Sequence, residues 1–370
     1  MSQNVYIRPI GFAPSPQSEH GNAIRLAGTM VYASRFAVML TDYGKVKDRW
    51  LASVDTMADV LAGLPDSVAE EGAAQWANLQ REHSPLELGA RTLRFDQPQV
   101  MGIYNVTPDS FSDGGEFLDN VEVGRAHAAA MLEAGASLID IGGESTRPGA
   151  KKVWEGDEIE RVRPAIEACA NMGAAISIDT RNAATMEAAL DAGAHIVNDV
   201  SALRHDPRSL DVVAQRGCPV ILMHAPSSGD DPHDGAAYGN VVFDVFDFLR
   251  DRRDAATAAG IAADQIILDP GIGFGKSLAD NLALLNALPL FHALGCPLLL
   301  GVSRKRMIGA LSHEEGAEDR LGGSIALTTN GMNAGAQLLR VHDVADSVQA
   351  RNVWRGQRDA ALTEFADLPA

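Results

Sequence analysis

The chain is poor in several things, and each shortage excludes a class of protein. It has only three cysteines, Cys169, Cys218 and Cys296. They are far apart, odd in number, set among small or apolar neighbours, and never form a C-x-x-C pair. That pattern excludes a disulfide framework and a zinc knuckle and reads as buried free thiols in a reducing, cytoplasmic setting. Basic residues are also scarce: 31 Lys and Arg face 49 Asp and Glu, a formal charge of −18. A field of that sign repels nucleic acid and anionic membranes, so any anionic substrate must be captured by a local basic cluster. No long uninterrupted apolar run is present, and the opening "MSQNVYIRPIGFAPSPQ" lacks the apolar core and basic flank of an export signal. A dinucleotide fingerprint is missing too. The glycine-rich stretch "LDPGIGFGKS" (268–277) comes nearest to a phosphate loop, but Pro270 stands where a Walker A loop needs glycine, and Asp269 at its head would repel phosphate.

What the chain has is rhythm. Hydrophobic residues make up 46% of it, enough for a large core. From about residue 98, eight short apolar runs recur: "QVMGIYN", "SLIDIGG", "AAISIDT", "AHIVNDV", "CPVILMH", "QIILDP", "PLLLGVS" and "LLRVHDV". Near-continuous apolar runs of this length suit parallel strands covered on both faces. Alanine-rich helical stretches separate them, such as "VEVGRAHAAAMLEAGA" and "NAATMEAALDAGA", each stopped by glycine. Eight β-then-α units predict an α/β protein with a (β/α)₈ TIM barrel; an open doubly wound sheet usually has fewer strands and carries the absent fingerprint. Residues 1–83 do not share the rhythm. They read as a small α+β N-terminal module, with about two strands in "NAIRLAGTMVYASRFAVMLTD" and a helix broken at Leu64-Pro65, and "HSPLELGARTLRFDQPQ" after it reads as a hairpin closing the barrel floor. The expected division is therefore 1–83, an extension of unassigned role, and 84–370, the barrel.

In such a barrel, chemistry gathers where the strands end. The eight ends carry Asn105; Glu144, Thr146 and Arg147; Asp179; Asn198 and Asp199; His224; Asp269; Ser303, Arg304 and Lys305; and Arg340 with His342. Each has an ordinary explanation alone: Asp179 could cap the helix beginning near Asn182, Lys305 could belong to a solvated face, His342 could be a core histidine. Together they form two chemical groups. Asp179, Asn198, Asp269 and Lys305 offer carboxylates beside amide and ammonium donors, which suits a flat heterocycle with alternating donors and acceptors along its edge. Arg147, Arg340 and His342, with Asn105, suit a phosphate-type anion, and an amide oxygen can ligate Mg²⁺.

The strings "MGIYNVTPDSFSDGG", "DIGGESTRPGA", "SIDT", "VNDVSA", "LMH", "ILDPGIGFGKS", "GVSRKRMIG" and "RVHDV" resemble, in this order, those of the dihydropteroate synthase family of pterin-binding barrels. The resemblance implies a transferase of folate biosynthesis and sulfonamide target. It would condense 6-hydroxymethyl-7,8-dihydropterin pyrophosphate with para-aminobenzoate, giving 7,8-dihydropteroate and diphosphate, as a cytoplasmic homodimer. It further implies that the pterin meets Asp179, Asn198, Asp269 and Lys305. The diphosphate would meet Arg147, Arg340, His342 and Asn105, with Asn105 helping to hold Mg²⁺. Para-aminobenzoate would lie near Thr146, Pro148, Phe274 and Ser303, and Asp179, Lys305 and Arg147 would be catalytic. A methyltetrahydrofolate-binding methyltransferase would have no need of the Arg147 and "SRKR" cations; a catalytically silent pterin-binding homologue would bind pterin without releasing diphosphate. The chain departs from the family after His224, where it reads "APSSGDDPHDG".

Overall fold

The computed structural model describes residues 3–19, 21–106, 121–147, 149, 150, 152–314 and 316–362. Eight parallel strands form the barrel: β7 (Gln99–Asn105), β8 (Leu138–Gly142), β9 (Ile176–Asp179), β10 (Ile196–Asp199), β11 (Val220–Met223), β12 (Ile266–Asp269), β13 (Leu299–Gly301) and β14 (Leu338–Val341). Their hydrogen-bonded order runs β12-β11-β10-β9-β8-β7-β14-β13, and a parallel bridge between Leu268 and Leu298 joins the ends. Each apolar run of the sequence contains one strand, because a strand covered on both faces cannot alternate polar and apolar residues. Between them lie α3 (Val121–Glu133), α4 (Glu155–Asn171), α5 (Ala183–Asp191), α6 (Ser209–Arg216), α7 (Val241–Ala258), α8 (Leu278–Ala287), α9 (Arg306–Leu311), α10 (Leu321–Asn333) and, after β14, α11 (Val344–Leu362). None of the helices described is long and apolar enough to cross a membrane.

The barrel floor is closed by the expected hairpin, β5 (Leu86–Leu88) against β6 (Arg91–Leu93). Leu86, Leu88, Leu93 and Phe95 form one buried cluster with Met101, Leu138, Ala175, Ile196, Ile221, Ile267, Leu299 and Leu338. Every barrel strand thus contributes an apolar residue to the plug, counting Ala175 just before β9. With the bottom sealed, the polar ends are left to the opposite mouth.

The N-terminal region is larger in strand content than its sequence predicts. An antiparallel sheet pairs β1 (Gln3–Ala13), β2 (Ile24–Arg25), β3 (Tyr32–Asp42) and β4 (Lys45–Ser53), followed by α1 (Met57–Ala62) and α2 (Asp66–Leu79). The break between α1 and α2 falls at Leu64-Pro65, since proline restricts the residue before it. β4 escaped sequence reading because it is a charged edge strand: only Ala52 of its nine residues is buried. β1 was hidden by Pro9 and Gly11, which sit at irregularities in its pairing with β3. This region shares the barrel's outer core. Tyr6 stacks on Phe243 of α7 with ring centroids 4.2 Å apart, and its hydroxyl donates to Asp247 Oδ2 at 2.9 Å. Asn78 Nδ2 reaches the Ala293 carbonyl at 3.0 Å.

Candidate active site at the barrel mouth

β9 ends at Asp179 and β14 carries Arg340, so the two side chains enter the same cup from opposite stretches of sequence. Arg340 Nη2 donates to Asp179 Oδ2 at 2.7 Å. Its Nε donates to Asp140 Oδ2 at 2.6 Å. Asp140, on β8, has no exposed surface and also accepts from Asn198 Nδ2 at 3.2 and 3.3 Å. One guanidinium therefore neutralises only one of two acids, Asp140 fully and Asp179 largely buried. Burial chiefly, with Asp140's charge adding to it and Arg340 opposing, pushes the Asp179 carboxyl up to about 7. Burial opposes the charge on Arg340, but its two acid neighbours hold its pKa above the ordinary arginine value. Asp179 does not cap α5: the Ala183 N–H is taken by Asp206 Oδ2 at 3.1 Å, and Asp179 is committed to the cup.

The other side of the cup comes from the loops after β12 and β13. Asp269 accepts the Gly271 N–H at 2.7 Å, and its pKa is raised by burial, against that hydrogen bond and the nearby Lys305 charge. Lys305 lies with its ammonium 4.4 Å above the Phe274 ring, a cation–π contact, and burial lowers its pKa to about 8. Lys305 feels the charges of Asp269, Arg340 and Asp179, and Arg340 acts on both acids, so the four share one electrostatic neighbourhood. Val200, Met223, Ala225 and Phe274 add an apolar wall. Ser303 Oγ accepts the His342 N–H at 3.2 Å and lies 3.1 Å from His342 Nδ1. Burial, then the neighbouring Arg340 charge, lowers the His342 pKa to about 3, so the ring is neutral.

Other strand-end residues turn out to build the mouth rather than face it. Glu144 pairs twice with Arg181, at 3.0 and 3.1 Å, with both side chains about 95% buried. Asp199 ties down the backbone N–H groups of Ser201 and Leu203. Arg304 is held by Asp343 at 2.7 Å and by Glu318 at 2.7 Å, so the "SRKR" cations diverge: Arg304 is spent on ion pairs, Lys305 enters the cup and Arg306 is exposed. Arg147 is exposed on the loop after β8, and among the described residues no hydrogen bond joins its guanidinium to the Asp179–Arg340 pair. Asn105 is half-buried at the end of β7, opposite Gly142 in register. Pro148 and most of "NVTPDSFSDGG" lie outside the described residues.

The glycine-rich stretch after β12 has a clear structural logic. Lys276 turns inward and donates to His224 Nδ1 (2.9 Å) and to the carbonyls of Gly271 (2.7 Å) and Phe274 (3.1 Å). Burial lowers its pKa to about 7. The lysine that made this segment look like a phosphate loop is thus a staple inside the loop. Gly271 has φ +69°, and a Cβ there would lie 2.0 Å from the His224 carbonyl oxygen, so no side chain fits.

The sequence model of the family described as "Pterin binding enzyme" matches residues 101–342. The dihydropteroate synthase of Escherichia coli is 42% identical over 263 residues, 71% of this chain and 92% of that protein. The chain belongs to the dihydropteroate synthase family. A second relative, from Haloferax volcanii, is named a probable bifunctional folylpolyglutamate synthase/dihydropteroate synthase. It is 42% identical over 334 residues, 90% of this chain, but the chain spans only 38% of its length. Among solved structures, the Xanthomonas albilineans dihydropteroate synthase with 4-aminobenzoic acid superposes with a TM-score of 0.69 at 46% identity, covering 78% of this chain and all of that one. The family is one of transferases, as the sequence resemblance implied.

Three contributors to the mouth of this family member were not found from sequence. Asp140 sits inside an apolar strand run, and the cost of burying an unpaired acid there was the available signal. Lys276 was masked by its resemblance to a phosphate-loop lysine. His233 lies in the divergent loop after His224, where no periodicity guides a reading.

Proposed function

We propose that the chain joins 6-hydroxymethyl-7,8-dihydropterin pyrophosphate to para-aminobenzoate, producing 7,8-dihydropteroate and diphosphate. The observation that carries this reading is the convergence of Asp179, Asn198, Asp269, Lys305 and Arg340, drawn from five strands and their loops, on one largely buried cup. A pterin edge presents N–H donors to Asp179 and Asp269 and acceptors to Asn198 and Lys305, which satisfies groups that are otherwise costly to bury. The apolar wall of Val200 and Met223 matches the ring faces. Arg340 and His342, with Arg147 arriving from its exposed loop, receive the diphosphate. Asn105 presents a single amide oxygen, and no cluster of three acidic, histidine or cysteine ligands occurs among the described residues. That donor set fits a hydrated Mg²⁺ arriving with the diphosphate better than an all-protein cage. When bound, the ion supplies positive charge to the diphosphate oxygens.

The reaction breaks the bond between the pterin's exocyclic carbon and the diphosphate oxygen, whose electron pair leaves with diphosphate. Basic side chains stabilise the charge that develops there. The Asp179 carboxylate, beside the pterin, stabilises the electron-poor ring and carbon. The amine nitrogen of para-aminobenzoate then bonds to that carbon and gives up a proton. No enzyme nucleophile is required. The aromatic amine is placed between Thr146, Phe274 and Ser303. The protein works as a homodimer, in the cytoplasm, a location in keeping with its buried free thiols.

The test mixes purified protein, Mg²⁺, the pterin pyrophosphate and para-aminobenzoate, and quantifies dihydropteroate and diphosphate together, with and without a sulfonamide. Equimolar products, suppressed competitively by the sulfonamide, are expected. Pterin binding without either product would refute the assignment. Asp179→Asn should cut turnover far more than it weakens diphosphate binding.

A further inference from the structure

We infer that His233, in the loop that departs from the family pattern, is the positioning residue of the aromatic-amine subsite; this inference rests on the reaction proposed above. Its imidazole stacks on Phe274 with ring centroids 5.0 Å apart and planes 13° from parallel. Its two nitrogens are both engaged across neighbouring loops. Nδ1 accepts the Gly275 N–H at 3.2 Å, and Nε2 lies 2.9 Å from the Thr146 carbonyl oxygen. Because Nδ1 accepts and a carbonyl cannot donate, the ring is the neutral Nε2–H tautomer, and it donates to Thr146. One side chain therefore fixes the two walls, Thr146 after β8 and Phe274 after β12, between which the amine is placed.

The loop is built to hold this histidine. Asp231 Oδ1 accepts the His233 N–H at 2.8 Å. Upstream, the Gly229 carbonyl accepts from buried Arg181 at 2.8 Å, and the Ser228 carbonyl lies 2.8 Å from His205 Nδ1. The glycine-rich loop meets it closely: a Cβ on Gly275 would lie 2.4 Å from Pro226 Cγ and 2.8 Å from the His233 carbonyl oxygen. These contacts explain why the acidic, irregular segment "APSSGDDPHDG" is nevertheless an ordered wall. Among the described residues no hydrogen bond or ring contact joins His233 to Asp179, Asn198 or Asp269, so its influence falls on the amine and not on the pterin.

Steady-state kinetics of His233→Ala, His233→Gln and His233→Phe test this. Loss of an aromatic stack of this kind corresponds to about a three- to tenfold effect. His233→Ala should raise KM for para-aminobenzoate by that factor, leave KM for the pterin pyrophosphate within about twofold, and leave kcat little changed. His233→Phe keeps the stack without the Thr146 bond, and His233→Gln keeps a donor without the stack, so each should recover part of the loss. An unchanged para-aminobenzoate KM in a folded His233→Ala protein overturns the inference. So does an equal rise in both KM values without partial rescue, which marks a general structural role. Failure of the unaltered protein to make dihydropteroate would instead sink the proposed reaction.

Discussion

Replacing Asp140 by asparagine separates the electrostatics of the cup from its shape. The two acids Asp140 and Asp179 share one guanidinium, so the wild-type cluster carries one excess negative charge. Asparagine preserves size and leaves Arg340 paired with Asp179 alone. Two unit charges a few ångströms apart interact by about 4 kcal/mol at an effective dielectric of 20. Relaxation and the retained burial term leave an expected fall of roughly one pK unit for Asp179, about 1.4 kcal/mol. The assay is kcat/KM for the pterin substrate between pH 5 and 9. Wild type should show an acidic limb near 7, where Asp179 titrates; the variant's limb should lie about one unit lower. Stability gives an independent sign. The folded carboxyl titrates above its unfolded value of about 3.9, so the native state binds a proton that the unfolded state lacks across that window, and stability falls as pH rises through it. In the variant this window should narrow from its upper end. At pH 8 the lost charged hydrogen bond to Arg340 costs about 1.5–3 kcal/mol and the relieved repulsion of Asp179 offsets about 1.4 kcal/mol of it, so urea unfolding there should show a net loss of about 0–1.5 kcal/mol. An acidic limb that stays in place or moves upward would refute the argument that Asp140 raises Asp179.

Further outcomes follow from the same contacts. Arg181→Met strands the buried Glu144 carboxylate and should destabilise the protein by about 3–5 kcal/mol; adding Glu144→Gln should recover much of it, and additive losses in the double variant would count against a direct pair. Gly271→Ala places a methyl against the His224 carbonyl at a positive φ and should cost about 3 kcal/mol or more by urea unfolding; a loss below 1 kcal/mol would show that the loop can yield. Tyr6→Phe removes the hydroxyl donated to Asp247 and should lower stability by about 1–2 kcal/mol with kcat/KM unchanged. A kinetic defect there would reveal that the N-terminal region is coupled to the mouth.

Much of the molecule was readable in advance because its signals are local. "QVMGIYN" became a strand over the same residues, and Pro65 broke the helix where expected, since covered strands and proline constrain the chain over a few positions whatever lies elsewhere. The charged edge strand β4 failed that test because its environment is solvent on nearly every side. That Asp179, Asn198, Asp269 and Lys305 would meet at the mouth was legible because strand ends of a barrel converge by topology alone. Their partners were not legible. Composition could not say that Arg340 would be divided between Asp140 and Asp179, or that Glu144 would face Arg181 and not the cup.

The sequence by itself determined the eight-fold alternation, the sealed lower end and the identity of the polar groups brought to the mouth, because periodicity and chain order dictate these before any long-range contact forms. Only the tertiary structure decided which charges are paired, which lysine enters the cup and which becomes a staple, and that His233 joins Thr146 to Phe274. Those outcomes depend on distances between residues up to 200 positions apart, and charge–charge and hydrogen-bond energies respond to spatial separation and burial, neither of which a residue's neighbours in the chain specify.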